Sequence, residues 1–248
     1  MTAIKLTEIL NFQWVSRGIS QNHSKVIKQA IVVALMGLHL WLIYIAASWG
    51  LADLFAKQAR YDMQQWEDQA LTTDSWKSIH ATLTWAQSFE PDHPDLLEST
   101  GQAYYLLYRS GVMTAAEQLM ALQQALDYYL KAAKQRPVSA YTWANIAILK
   151  SRLGQYDAQF LAALESTAVL GPWEPFVQRA VADVGLAAWY KFPKKGRKKG
   201  RKIVFAAIER GMHKQAHLMS TLIKRHRREF MVCAYRGGHT TRLADFCQ

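Results

Sequence analysis

From Gln29 to Ala52 the chain runs QAIVVALMGLHLWLIYIAASWGLA, 24 residues without a single Asp, Glu, Lys or Arg. Lys28 and Asp53 bracket it. As a helix rising about 1.5 Å per residue, such a stretch spans the roughly 30 Å hydrocarbon core of a bilayer with some tilt. Its polar members are mild: Gln29 at the edge, Ser48 near the far end and His39 in the middle. His39 reads as a packing or hydrogen-bonding residue rather than a proton relay. Buried helices of soluble proteins seldom stay uncharged for this long. A cleaved signal peptide is the other rival, and Ala46-Ala47-Ser48 offers a small-residue cut site. Against it, the charged segment ahead of the apolar run is 28 residues long, whereas the charged start of a signal peptide is short. The run is also longer than the roughly 7 to 15 residues of an ordinary signal core. The sequence therefore predicts an uncleaved transmembrane helix over 29–52, with a tethered domain after it.

Residues 1–28 form an N-terminal segment in which Ile4 to Val15 reads either as a short amphipathic surface helix or as a loose tail. Its charge says more than its shape. Lys5, Arg17, Lys25 and Lys28 precede the span, whereas Asp53 to Leu71 carries only Lys57 and Arg60. By the positive-inside rule the N-terminus is cytoplasmic and the main domain lies across the membrane. For a bacterial inner membrane, that places it in the periplasm.

Beyond the span, nearly 200 residues remain of the 248, enough for one sizeable core or a short repeat array. Ala, Leu, Gln, Glu and Lys outnumber Val, Ile and Thr, which favours helix over strand. The breakers fall between apolar-periodic runs, at Pro91 and Pro94, Pro137, Gly154, and Gly171-Pro172 with Pro175. An all-α helical domain over 53–190 follows, and breakers so phased call for a repeat check.

Ala125, Tyr129, Ala132 and Pro137 have the spacing of the second helix of a tetratricopeptide repeat. Small residues let two helices approach, the aromatic ring fills the gap, and the proline ends the helix. Ile79, Leu83, Ala86 and Pro91 repeat that spacing. Leu97, Gly101 and Tyr104 resemble a first helix, with about twelve extra residues around Arg109 to Ala116 lengthening the hairpin. Trp143, Ile146, Ala147, Gly154 and Tyr156 resemble the next, followed by a second helix from Asp157 to Leu170. Residues 74–172 thus resemble one half and two full repeats, although Thr100 and Lys150 stand where apolar or aromatic residues are expected. A plain helical bundle is the alternative. Stacked hairpins of this kind offer a face for binding peptides or proteins.

A further helix is expected from the Gly171-Pro172 turn through Val184, followed by Gly185 to Trp189. The run GPWEPFVQ and the later VGLAAW resemble the membrane-anchored VpsP-type proteins of bacterial exopolysaccharide clusters, as does the layout of one span ahead of a helical domain. That resemblance implies an accessory role in polysaccharide biosynthesis or export, with inner-membrane polysaccharide proteins as partners.

The net charge of +11 points to acidic surroundings, whether anionic lipid, an acidic glycan or nucleic acid. Much of it sits in the C-terminal segment 191–248. Lys191, Lys194, Lys195, Arg197, Lys198, Lys199, Arg201 and Lys202 put eight cations into twelve residues with no acid. With Gly196 and Gly200 among them, the stretch reads as a loop or a fraying helix start. Its alternatives are an anionic polymer or lipid surface and a merely solvated segment. Nucleic acid is the weaker partner, because no recognition motif accompanies the charges. Lys224, Arg225, Arg227 and Arg228 close a helix expected over Ile203 to Phe230, where cations suit the negative helix end.

Cys233 and Cys247 are the two cysteines, and one bridge or two reduced thiols are equally open readings. His213 and His217 have the i, i+4 spacing of metal ligands, but Lys214, Gln215 and Ala216 lie between them with no third ligand at a telling distance. Asp92, Asp95 and Glu98 read as capping residues. Glu67 and Asp68 are adjacent and point to different helix faces. No nucleophile motif, phosphate loop or acidic metal cluster occurs, so no catalytic residue, cofactor or metal is expected. The expectation is a non-catalytic membrane-anchored accessory or scaffold protein. A cytoplasm-facing adaptor whose basic loop binds anionic lipid or nucleic acid is the second reading, and an enzyme site assembled from scattered residues the third.

Overall fold

The computed structural model describes residues 4–66, 72–235 and 241–247, with side chains described from residue 25 onward except at 67–71, 236–242 and 248. The fold is all-α, with no strand among the described residues. Two compact units divide at Leu51 and Ala52. Within the first, α1 (Ile4–Gln65) carries a stretch of mean hydropathy 2.2 that is long and apolar enough to cross a membrane. His39 Nδ1 donates 2.7 Å to the Leu35 carbonyl one turn back, so its polar edge is satisfied within the helix.

The helix extends beyond the expected span of 29–52 at both ends, beginning before Gln29 and continuing past Ala52. No proline occurs before Pro91, and Asp53 pairs forward with Lys57 at 2.8 Å, so nothing in the sequence breaks the ladder there. Ile4 to Val15 is helical, but the side chains that would make it amphipathic lie outside the described residues. Glu67 and Asp68 lie outside them altogether.

In the second unit the end of α1 becomes part of the core. Ala52, Ala56, Ala59 and Met63 follow helical spacing on one stripe and are buried. Ala59 and Met63 cluster with Ile79, Leu83 and Ala103, while Ala52 and Ala56 cluster with Ala86 and Leu96. The residues that mark helix ends in the sequence then do so in space. Thr72 and Ser75 form a capping box on α2 (Thr73–Phe89), and Thr114 and Glu117 form another on α4 (Ala115–Gln135). Pro94 opens α3 (Pro94–Ser110). Ser139 caps α5 (Ala140–Arg152) and Asp157 caps α6 (Ala158–Leu170). Gly154 sits at φ +72° between them, a left-handed turn where any side chain would be strained.

Helices pair as antiparallel hairpins through close contacts that the repeat spacing anticipates. A Cβ on Gly101 would sit 2.8 Å from the Tyr129 ring, so the glycine is what lets α3 and α4 approach. These two helices have 17 and 21 residues against 13 in α5 and α6, which is where the extra residues go. The two polar exceptions at core positions are both satisfied. Thr100 accepts from Gln87 Nε2 at 2.7 Å and donates to the Leu96 carbonyl. Lys150, only 2% exposed, pairs with Asp157 at 2.9 Å and donates to Gln155 and Gln159.

Asp95 and Glu98 are not caps, which corrects that expectation. His93 occupies the N-cap of α3 without a side-chain bond. The two carboxylates instead reach Arg136, just past α4, at 2.6 and 2.9 Å. Thr142 of α5 donates to the same Glu98 oxygen that Arg136 contacts. One ion cluster therefore ties three successive helices together.

A third hairpin follows that the repeat spacing did not announce. α7 (Pro175–Ala187) runs past Val184 through Gly185, where a Cβ would collide with Val204 of α8 (Arg197–Arg225). Helix α8 starts before Ile203 and stops before Phe230, displacing both expected ends. It bends at Gln215, whose φ of −141° and ψ of 44° are not helical. Arg227 takes a left-handed φ of 53°, its N–H bonds to the Lys224 carbonyl and that of Arg228 to Ile223, closing the helix end. Short helices α9 (Glu229–Ala234) and α10 (Thr241–Phe246) complete the chain, with Val232 and Leu243 buried in the main core.

Candidate functional site

The eight cations of the basic segment separate into two groups. Residues 191–193 are irregular, 194–196 form a 3-10 turn and Arg197 begins α8, so the segment is a short loop running into a helix start. Lys191 lies over the Tyr156 ring at 4.9 Å. Arg201 donates twice to the Trp189 carbonyl at 3.3 Å and stacks on the same indole at 5.3 Å. Lys199 pairs with Glu165 at 2.6 Å. Arg197 is half-buried, beside Gly196, which meets Leu161 of α6. Lys191 and Lys199 thus tie the third hairpin to the rest, while Arg201 braces the turn within it. Lys194, Lys195, Lys198 and Lys202 are exposed and make no ion pair among the described residues. They crowd the positive end of α8, where cations are unfavourable, so helix stability does not explain them.

A larger constellation lies elsewhere. A groove of about 650 Å³ opens between α3, α5, α7 and the end of α8. Each of these helices contributes one arginine: Arg109, Arg152, Arg179 and Arg225. The floor between them is apolar, built from Ile148, Val184 and Leu222 among others. Helical spacing explains the arrangement. Ile148 and Arg152 are one turn apart on α5, as are Phe176, Ala180 and Val184 on α7, so each helix offers a single stripe.

Asp183 is the only carboxylate among the lining residues, and it is already engaged. His226 Nε2 lies 2.7 Å from it and Arg225 at 3.8 Å. Arg179 rests over the Phe176 ring at 5.5 Å, and Arg109 and Arg152 make no ion pair among the described residues. The groove therefore carries an excess of positive charge, and focuses a field for anions. No family model and no curated protein matches this chain. Its function has to be argued from this geometry.

Of the four arginines only Arg225 stood out in the sequence, as one of a cluster of helix-end cations. Arg109, Arg152 and Arg225 sit in the last turns of their helices, where the helix dipole alone justifies a cation. The recurrence of Arg109 and Arg152 at the ends of two first helices was the available signal, and only the fold joins them with Arg179 and Arg225 into one surface.

Of the remaining candidates, His213 and His217 flank the break at Gln215, so the backbone does not keep them in the i, i+4 register that a shared metal requires. Cys233 and Cys247 are disulfide-bonded with Cα atoms 5.6 Å apart, which ties α9 to α10. We expect reduction of the intact chain to speed tryptic release of its C-terminal peptide, read by mass spectrometry. Equal release from oxidised and reduced protein would mean that packing of Leu243 alone holds the tail.

Proposed function

We propose that this chain is a non-catalytic, membrane-anchored accessory protein of the bacterial envelope that serves exopolysaccharide biosynthesis or export by holding a partner protein on its helical hairpins. The arginine-lined groove carries this reading. It presents one face of successive hairpins, as tetratricopeptide-like arrays do when they bind proteins, and its lining sets four arginines against a single carboxylate. The excess of Lys and Arg ahead of the span favours a cytoplasmic N-terminus and a periplasmic main domain. The Cys233–Cys247 bridge supports the same side, because disulfides persist in oxidising compartments. Lys194, Lys195, Lys198 and Lys202 fit a supporting contact with anionic lipid or an acidic glycan.

The test combines topology with capture. A reporter active only outside the cytoplasm, fused after Gln248, is expected to be active. A photo-crosslinker at Ile148 is expected to capture an inner-membrane protein of polysaccharide synthesis or export. A reporter active only in the cytoplasm would overturn the periplasmic reading. The exposed lysine cluster would then favour an adaptor on the anionic cytoplasmic leaflet.

A further inference from the structure

We infer that the groove receives an acidic peptide segment of a partner protein, one in which carboxylates alternate with apolar side chains, and that Arg109, Arg152, Arg179 and Arg225 are its carboxylate contacts. This inference rests on the reading of the groove as a protein-binding surface and specifies what that surface takes.

Three observations choose the occupant. The first is charge. Four arginines on four helices surround the groove, and the only acid lining it is occupied by His226 and Arg225. Guanidinium groups bind carboxylates bidentately, and a row of them favours a chain carrying several carboxylates over a single small anion. The second is the floor. Ile148 and Leu218 are half-buried beside the buried Val184 and Leu222, and covering their exposed hydrocarbon with alkyl or aromatic side chains is favourable. An extended peptide points successive side chains to opposite sides, so alternation of acid and apolar residues satisfies rim and floor together.

The third observation weighs against an acidic glycan. Sugar rings seek exposed aromatic faces, and the aromatic residues here are already engaged. Phe176 is stacked on Tyr141 and covered by Arg179. Tyr156 meets the edge of Phe160 and carries Lys191 over its ring. Tyr105 is stacked with Tyr108.

The experiment uses the full chain in detergent micelles and a fluorescein-labelled peptide of alternating leucine and glutamate, read by anisotropy. Competitors are the matching leucine–glutamine peptide and oligogalacturonate. The acidic peptide is expected to bind with an affinity that falls with salt, and the neutral one about tenfold or more weaker. The double substitution Arg152→Gln with Arg179→Gln is expected to weaken the acidic peptide by about tenfold or more while leaving thermal unfolding unchanged, since both side chains are exposed. Lys134→Gln, exposed on α4 and outside the groove, is expected to change nothing. Failure of the acidic peptide to bind, binding indifferent to the arginine substitutions, or tighter binding of oligogalacturonate would each overturn the inference, the last assigning the groove to a glycan.

Polysaccharide output from cells carrying the arginine variant separates this inference from the function beneath it. If the peptide fails to bind but output falls, the accessory role stands and the acidic-peptide assignment does not. If the peptide binds as expected and output is untouched, the groove chemistry stands and the polysaccharide role falls.

Discussion

Asp157→Ala is expected to cost about 3 kcal/mol, the penalty for stranding a buried cation, with loss of the α6 cap contributing about 1 kcal/mol of it. Two functions meet in this one carboxylate. It accepts the Phe160 N–H at 2.8 Å as the cap, and it faces Lys150 Nζ at 2.9 Å. The Lys150 side chain is 3% exposed, so the ammonium keeps only Gln155 and Gln159 once its counter-charge is gone. Urea unfolding of the intact chain in detergent, followed by tryptophan fluorescence, measures the loss. Lys150→Met in the same background is expected to recover most of it, because an apolar residue of similar length belongs in that slot. Equal costs in the wild-type and Lys150→Met backgrounds would assign the whole effect to the cap.

The same pair gives a pH dependence with a defined sign. Burial pushes the Asp157 carboxyl up, but the hydrogen bond and charge of Lys150 and the Phe160 N–H outweigh it and hold the group below its ordinary value of 3.8. A carboxyl depressed in the folded state contributes stability that is present above its ordinary value and disappears as pH falls through the lowered one. Acid unfolding of the wild type is therefore steeper below about pH 4 than that of a Lys150→Met, Asp157→Asn variant. Parallel acid profiles would remove Asp157 from the account.

Gly185→Val is the second large effect, expected to cost about 3 kcal/mol by overpacking. Propensity alone argues the opposite way, because glycine inside a helix is about 0.5–1 kcal/mol worse than alanine. Sterics win here. A Cβ at this position collides with Val204, which is fully buried and β-branched, so it has little rotamer freedom to retreat. Gly185→Ala is expected to destabilise as well, and Val204→Ala added to it should return stability toward wild type. A stabilising Gly185→Ala would show that α7 and α8 can slide apart without cost.

Much of the fold was legible because its signals are local. Pro94, Gly154 and the Gly171-Pro172 turn end or open helices through backbone sterics that act wherever they occur. The Gly101–Tyr129 contact follows from a spacing that any stacked hairpin must satisfy. Boundaries without a breaker were not legible. Asp53 looks like the end of an apolar run, yet a charge does not stop a helix, and the Ala52, Ala56, Ala59, Met63 stripe carries α1 into the core. Asp95 and Glu98 resembled caps because their partner, Arg136, lies a hairpin away in sequence.

The candidate site was legible only in part, for a related reason. The basic run between Lys191 and Lys202 draws the eye by density, yet Lys191, Lys199 and Arg201 have partners that fix the third hairpin. The groove arginines are spread one to a helix, and each has a sufficient local explanation as a helix-end or surface cation. What makes them a site is the packing that aligns α3, α5, α7 and α8, which composition and spacing do not encode by themselves.

That distribution has an evolutionary consequence. Because Arg109, Arg152, Arg179 and Arg225 belong to separate helices, a substitution at one of them alters a single charge and leaves the neighbouring turns as they were. The recognition surface is thus divided into nearly independent letters. A lineage that exchanges its partner can respell it one helix at a time, while the Gly185–Val204 and Gly101–Tyr129 contacts keep the page itself unchanged.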